Sequence, residues 1–155
     1  METLIDYAPL LGQGALVTIG LALISLALAT VLGIAGAAAR LGGGMVGSAA
    51  ALGYTTIVRG IPDLVLILLV YFGGQRLVND VGGLLGLPYV EVSKFWAGVA
   101  AIGFIYGAYL TETFRGAYQS VPKGQAEAAF ALGLSRFATL WTVLAPQVLR
   151  FALPG

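Results

Sequence analysis

The sequence predicts an all-α integral membrane protein, a bundle of membrane-spanning helices. Two observations carry this. The chain of 155 residues is 59% hydrophobic and only 10% charged, whereas an ordinary soluble domain is about a quarter charged. Residues 10–39 contain no charged side chain, and that run exceeds the ~20 residues that cross a bilayer. A soluble core helix of that length would show a polar face, and this one shows none.

Composition also excludes functions. There is no basic run and no basic–aromatic interleaving, so nothing points to nucleic acid. Cysteine is absent, which removes disulfides, thiol nucleophiles and thiolate metal sites. Histidine is absent too, and with it the commonest metal ligand and general base. No carboxylates are paired at catalytic spacing, so a membrane enzyme has no support. The opening "METLIDYAPL" is acidic where a cleavable signal is basic, and the apolar run after it is too long for one.

The first span is expected at about 12–39. Ser25, Ala29, Gly33 and Ala37 recur every fourth residue and form one smooth helical stripe for close helix approach. A glycine-rich turn, "RLGGGMVGS", leads to a second span at about 50–74. Arg59, Pro62 and Asp63 interrupt it, and Pro62 removes a backbone donor. One bent span is expected; a short interfacial helix followed by a membrane helix fits the same residues. Residues 75–94 read as a loop with turn residues. The third span is expected at about 95–118, with Trp96 at an interface and Gly103, Gly107 and Thr111 on a small-residue face. A further membrane region begins at 137–155, broken by Pro146 and Pro154.

With the N-terminus outside, Arg40, Arg59, Arg115, Lys123, Arg136 and Arg150 lie on or toward the cytoplasm, and only Arg76 and Lys94 lie outside. That balance satisfies the positive-inside rule. It puts "SVPKGQAEAAFALGLSR", Ser120 to Arg136, in the cytoplasm. Pro122 suits a helix start, and Gln125 to Leu132 are good helix formers. Gly133 suits a left-handed cap, where any Cβ risks a clash. A helix at about 122–134 is too short to be stable alone in water. It either lies in a partner's groove or caps the bundle as a surface connector, and the residues leave both open.

Asp63 and Glu112 are carboxylates within apolar spans, and such groups are costly and usually functional. Arg59 and Asp63 are four apart and Glu112 and Arg115 three apart, so each pair can also neutralise itself on one helix face. Tyr106 and Tyr109 offer rings and hydroxyls to a cation, or serve as packing and interface anchors.

"EAAFALG", Glu127 to Gly133, resembles the EAA motif of permease subunits from ABC importers. "GALVTIGLALISLALATVLGIAGAAAR", "YTTIVRGIPDLVLILLVYFG", "GAYLTETFRGAYQSVPKGQAEAAFALGLS" and "LAPQVLRFALPG" are similar to the polar-amino-acid class of these permeases, in one order over nearly the whole chain. "RGIPDLV" and "GFIYGAYLTETFRGA" point to the branch serving histidine, lysine, arginine and ornithine, with opine permeases as near neighbours. The resemblance implies a helix bundle of the type I ABC importer permease kind with a short cytoplasmic coupling helix. Family members continue beyond "ALPG" with further membrane segments, so it also implies an incomplete, C-terminally truncated permease domain.

The implied setting is a multi-pass protein of the bacterial inner membrane with a periplasmic N-terminus. The implied partners are an ATPase dimer, a second and related permease subunit, a periplasmic substrate-binding protein and the lipid bilayer. Nothing here resembles GxxxxGK[ST]. The chain is therefore expected to be no enzyme and to bind no cofactor, with ATP and Mg on the ATPase. Glu127, Ala128, Ala129, Phe130, Leu132 and Gly133 are the implied coupling residues. Phe130, Leu132 and Ala128 would be buried on the ATPase, and Glu127 would cap the helix or pair with a basic group there. The implied pathway residues are Asp63, Glu112, Tyr106, Tyr109 and Arg59, with Asp63 favoured as the carboxylate that attracts a cationic side chain. Import of opines or other polar amino acids is the alternative, and a membrane scaffold without transport is the remote one.

Overall fold

The structure is a computed structural model that describes residues 2–154, with side chains from Tyr7 onward. Among the described residues there is no strand. Helix α1 (Glu2–Gly42) has 41 residues, about 60 Å at 1.5 Å per residue. It lies along α5 (Lys94–Ser120). Contacts rise together along both helices: Gly20 faces Phe95, Leu28 faces Gly103, Leu32 faces Gly107 and Gly36 faces Thr111. The two helices therefore run parallel and end on the same side, and the chain between them must return.

The small residues are what let them touch. Ser25, Ala29, Gly33 and Ala37 of α1 are all buried, as the four-residue spacing predicts. A Cβ on Gly33 would sit 2.6 Å from Leu110 Cβ, and one on Gly103 would sit 2.6 Å from Leu28 Cδ2. Real Cβ atoms do not come so close, so each glycine makes room for a leucine on the other helix. The opposite face of α1 is the reverse: Leu16, Val17, Leu23, Leu26, Val31 and Ile34 are each more than half exposed. Large apolar side chains turned outward around a small-residue seam are the pattern of a helix pair packed in lipid.

Helix α2 (Gly44–Arg59) follows a tight turn in which Gly43 N–H donates to Ala39 O. It stops at Gly60, whose N–H donates to Thr56 O and Ile57 O. Pro62, at φ −56° and ψ 133°, separates it from α3 (Asp63–Leu68). A π turn (Leu69–Gly73) and α4 (Gly74–Leu84) continue that run without interruption. Two differences from the sequence reading follow. Residues 50–74 are two helices rather than one bent span, because Pro62 has no N–H to offer the Val58 carbonyl. Residues 75–84 are helix rather than loop, and only Leu85–Ser93 is irregular.

That irregular stretch is tied down. Gly86 is left-handed at φ +72°, and the N–H groups of Gly86 and Leu87 close the end of α4 on Gly83 O and Gly82 O. Asn79 exchanges both hydrogen bonds with the Val90 backbone, at 2.8 and 2.9 Å. Gln75 accepts from Val92 N and donates to Val90 O.

After α5 come α6 (Lys123–Ala131) and the run α7 (Arg136–Ala138), a π turn (Thr139–Leu144) and α8 (Ala145–Ala152). Pro146 does not break this run; it follows directly on the π turn, where the regular i→i−4 bonding is already interrupted. Two helical runs, Tyr7–Gly42 and Asp63–Leu84, are long and apolar enough to cross a membrane. α5 is long enough but is not one of them. A compact core of Val58, Leu66, Ile105 and Ala108, with Tyr54 and Tyr109 against it, joins α2 and α3 to α5.

Candidate translocation and coupling site

The helix break at Gly60–Pro62 places Asp63 in the first turn of α3, facing α5. Tyr109 Oη donates to Asp63 Oδ1 at 3.3 Å. The Arg59 guanidinium lies over the Tyr109 ring, 5.5 Å from its centroid. Tyr106 stacks at an angle beside Tyr109, with centroids 5.9 Å apart. Asp63, Tyr109, Arg59 and Tyr106 are thus one group. Arg59 and Asp63 do not pair, since four-residue spacing brings side chains together only on an unbroken helix. Among the described residues neither belongs to an ion pair.

Glu112 has a different fate. Its Oε2 receives Nε and Nη2 of Arg115, each at 2.7 Å. Its Oε1 accepts from Thr55 Oγ1 at 3.2 Å and lies 3.6 Å from Arg40 Nε. The Glu112–Arg115 pair expected from sequence is present, and two helices add to it. The carboxylate is only 15% exposed. Thr55 and Arg40 carried no local signal for this role, because α2 and α1 deliver them. Together the four residues tie the ends of α1, α2 and α5. Next to them a cavity of about 300 Å³ is lined by Arg40, Thr55, Thr56, Arg59, Gly60 and Glu112.

The third part is α6. Pro122 precedes its first residue. Its end is closed by Gly133 at φ +81°, with Gly133 N–H on Phe130 O at 2.9 Å and Leu134 N–H on Ala129 O at 3.0 Å. These are the two bonds of a Schellman cap. No atom lies within 4 Å of a Cβ built on Gly133. Within this chain nothing crowds that position, and its need for glycine is conformational. The six proposed coupling residues divide. Ala129 is buried against the bundle at 4% exposure. Glu127, Ala128, Phe130 and Leu132 face outward with Gly133, and Leu132 is 81% exposed. Glu127 lies in the middle of α6, away from the free N–H groups of its first turn, so it caps nothing. Two residues, Val121 and Pro122, join the end of α5 to α6, and α6 packs on the π turn Thr139–Leu144.

Residues 29–155 match the family described as "binding-protein-dependent transport system inner membrane component". The chain belongs to that family. The permease is 45% identical over 152 residues to the histidine/lysine/arginine/ornithine transport system permease protein HisQ of Salmonella typhimurium, covering 98% of this chain and 67% of the relative. It is 40% identical to the arginine ABC transporter permease protein ArtQ of Haemophilus influenzae, covering 97% and 65%. It is 38% identical to the octopine transport system permease protein OccQ of Agrobacterium tumefaciens, covering 97% and 68%. A crystal structure of an amino acid ABC transporter with histidines superimposes with a TM-score of 0.76 at 28% identity, covering 98% of this chain and 66% of that one. The chain spans about two thirds of the length of these relatives. The all-helical membrane fold and the permease family read from the sequence are both shown.

Proposed function

We propose that this permease is the translocation subunit of an ATP-driven importer of basic amino acids: histidine, arginine, lysine or ornithine. The observation that carries the substrate class is the unequal state of the two intramembrane carboxylates. Glu112 is occupied by Arg115, Thr55 and Arg40. Among the described residues Asp63 has only a long bond from a tyrosine hydroxyl. An unneutralised carboxylate in an apolar span attracts a cation, and Tyr109 and Tyr106 beside it suit a guanidinium or ammonium. The printed substrates of HisQ and ArtQ agree with that chemistry.

The outward face of α6, Glu127, Ala128, Phe130, Leu132 and Gly133, docks in a groove of an ATPase subunit. That partner supplies ATP and Mg, and its closure moves α6 with the turn it packs on. A second, related permease subunit completes the pathway, and a periplasmic binding protein loads it. The N-terminus lies in the periplasm. Supporting this, the parallel run of α1 and α5 puts Arg40, Arg115 and α6 on one side, where the positive charges concentrate.

Asp63→Asn is expected to weaken arginine or lysine uptake into vesicles about tenfold, the scale of one charge-assisted hydrogen bond, while the assembly survives. Unchanged uptake would remove Asp63 from the pathway. A second reading, opine import, is favoured by the octopine relative and by a nopaline transport system permease protein 48% identical over 104 residues. Uptake of octopine in preference to lysine would establish it.

A further inference from the structure

We infer that the cavity beside Glu112 is a carboxylate subsite, which takes the α-carboxylate of an amino acid whose side-chain cation rests at Asp63. The inference deepens the importer reading and rests on it. The cavity of about 300 Å³ has two arginines and one glutamate in its lining. Glu112 is already bonded by Arg115, which stands outside the lining. The remaining field is positive and suits an anion. Arg59 joins no ion pair among the described residues. Arg40 Nε is buried and makes no hydrogen bond, its one ionic contact being Glu112 Oε1 at 3.6 Å. The exposed Thr56 at the same rim adds a hydroxyl.

Position agrees with charge. Arg59 reaches both groups: it lines the cavity and lies over Tyr109, which donates to Asp63. Along α5, Tyr109 and Glu112 are three residues apart, about 4.5 Å of rise. In this arrangement one amino acid reaches Asp63 with its side chain and the arginines with its carboxylate, with Arg59 between the two ends. Asp63 reads what distinguishes a basic amino acid, and the cavity reads what all amino acids share.

The test is equilibrium binding of radiolabelled lysine and of lysinamide, whose carboxylate is replaced by a neutral amide. The full permease assembly is held in nanodiscs without binding protein. Wild type is expected to prefer lysine. Arg59→Gln lowers the preference for lysine over lysinamide about tenfold, the scale of one charge-assisted contact, whatever it does to both ligands alike through Tyr109. Arg59→Lys keeps part of the preference. Asp63→Asn weakens both ligands. Arg59→Gln acting equally on both ligands, or on neither while Asp63→Asn still weakens binding, overturns the subsite and leaves the importer reading standing. Release of bound phosphatidylglycerol by Arg59→Gln with the lysine preference intact means a lipid phosphate fills the cavity, and also overturns it. A wild type that binds neither ligand overturns the subsite and the substrate reading together.

Discussion

Gly33→Ala and Gly14→Ala are the same change in the same helix, and they should shift stability in opposite directions. At Gly33 the new Cβ would meet Leu110 Cβ at 2.6 Å and the Leu110 backbone carbon at 3.2 Å. A leucine tip can rotate away, but a Cβ and a backbone carbon cannot. The α1–α5 seam must open, and overpacking of this kind costs about 1–3 kcal/mol. Alanine recovers about 1 kcal/mol of helix propensity. The net loss is about 1 kcal/mol, or roughly 2–4 °C in the unfolding midpoint for a chain of this size. At Gly14 nothing lies within 4 Å of the added Cβ, so only the propensity gain of about 0.5–1 kcal/mol remains. The assay is thermal unfolding of the purified permease in mild detergent, followed by tryptophan fluorescence. A Gly33→Ala midpoint at or above wild type would refute the claim that small residues set the α1–α5 distance.

Glu112→Gln leaves Arg40 and Arg115 without their shared carboxylate, and removing one partner of a mostly buried pair costs about 3 kcal/mol; the midpoint should fall further than for Gly33→Ala. Arg76→Gln should change it by no more than about 0.5 kcal/mol, because the Arg76–Asp80 pair is exposed on both sides. Gly133→Ala should cost α6 about 1–2 kcal/mol of left-handed strain, and Gly133→Asn less, since asparagine tolerates that conformation; equal loss of coupled ATP hydrolysis in the two would contradict the cap. Asn79→Leu should free Leu85–Ser93 from α4, and limited proteolysis would read this as faster cleavage there.

Much of this architecture is written in local spacing. The stripe Ser25–Ala29–Gly33–Ala37 and the Gly103–Gly107–Thr111 face each announce a close helix contact. Gly133 announces a left-handed cap. What escaped depends on partners distant in sequence. Residues 75–84 looked like a loop because Asn79, Asp80, Gly82 and Gly83 are turn formers. Here Gln75 and Asn79 spend their amides on a backbone 11 to 17 residues away. The Pro62 interruption was visible, but whether it bends or breaks depends on the Gly60 ending, and the break is what separates Arg59 from Asp63. In the candidate site, Glu112–Arg115 was legible as a three-residue spacing. Arg40 and Thr55 were not, since their closeness to Glu112 exists only once three helices pack.

The central claim is that substrate in the permease drives ATP hydrolysis elsewhere through α6. The most direct measurement is ATPase activity of the reconstituted assembly of permease subunits, ATPase and binding protein, presented with single amino acids. Stimulation by arginine, lysine or histidine is expected, and Phe130→Asp on the exposed face of α6 should abolish it without impairing the isolated ATPase. A normally assembled complex whose ATPase ignores every basic amino acid, or whose stimulation survives Phe130→Asp, would contradict the account.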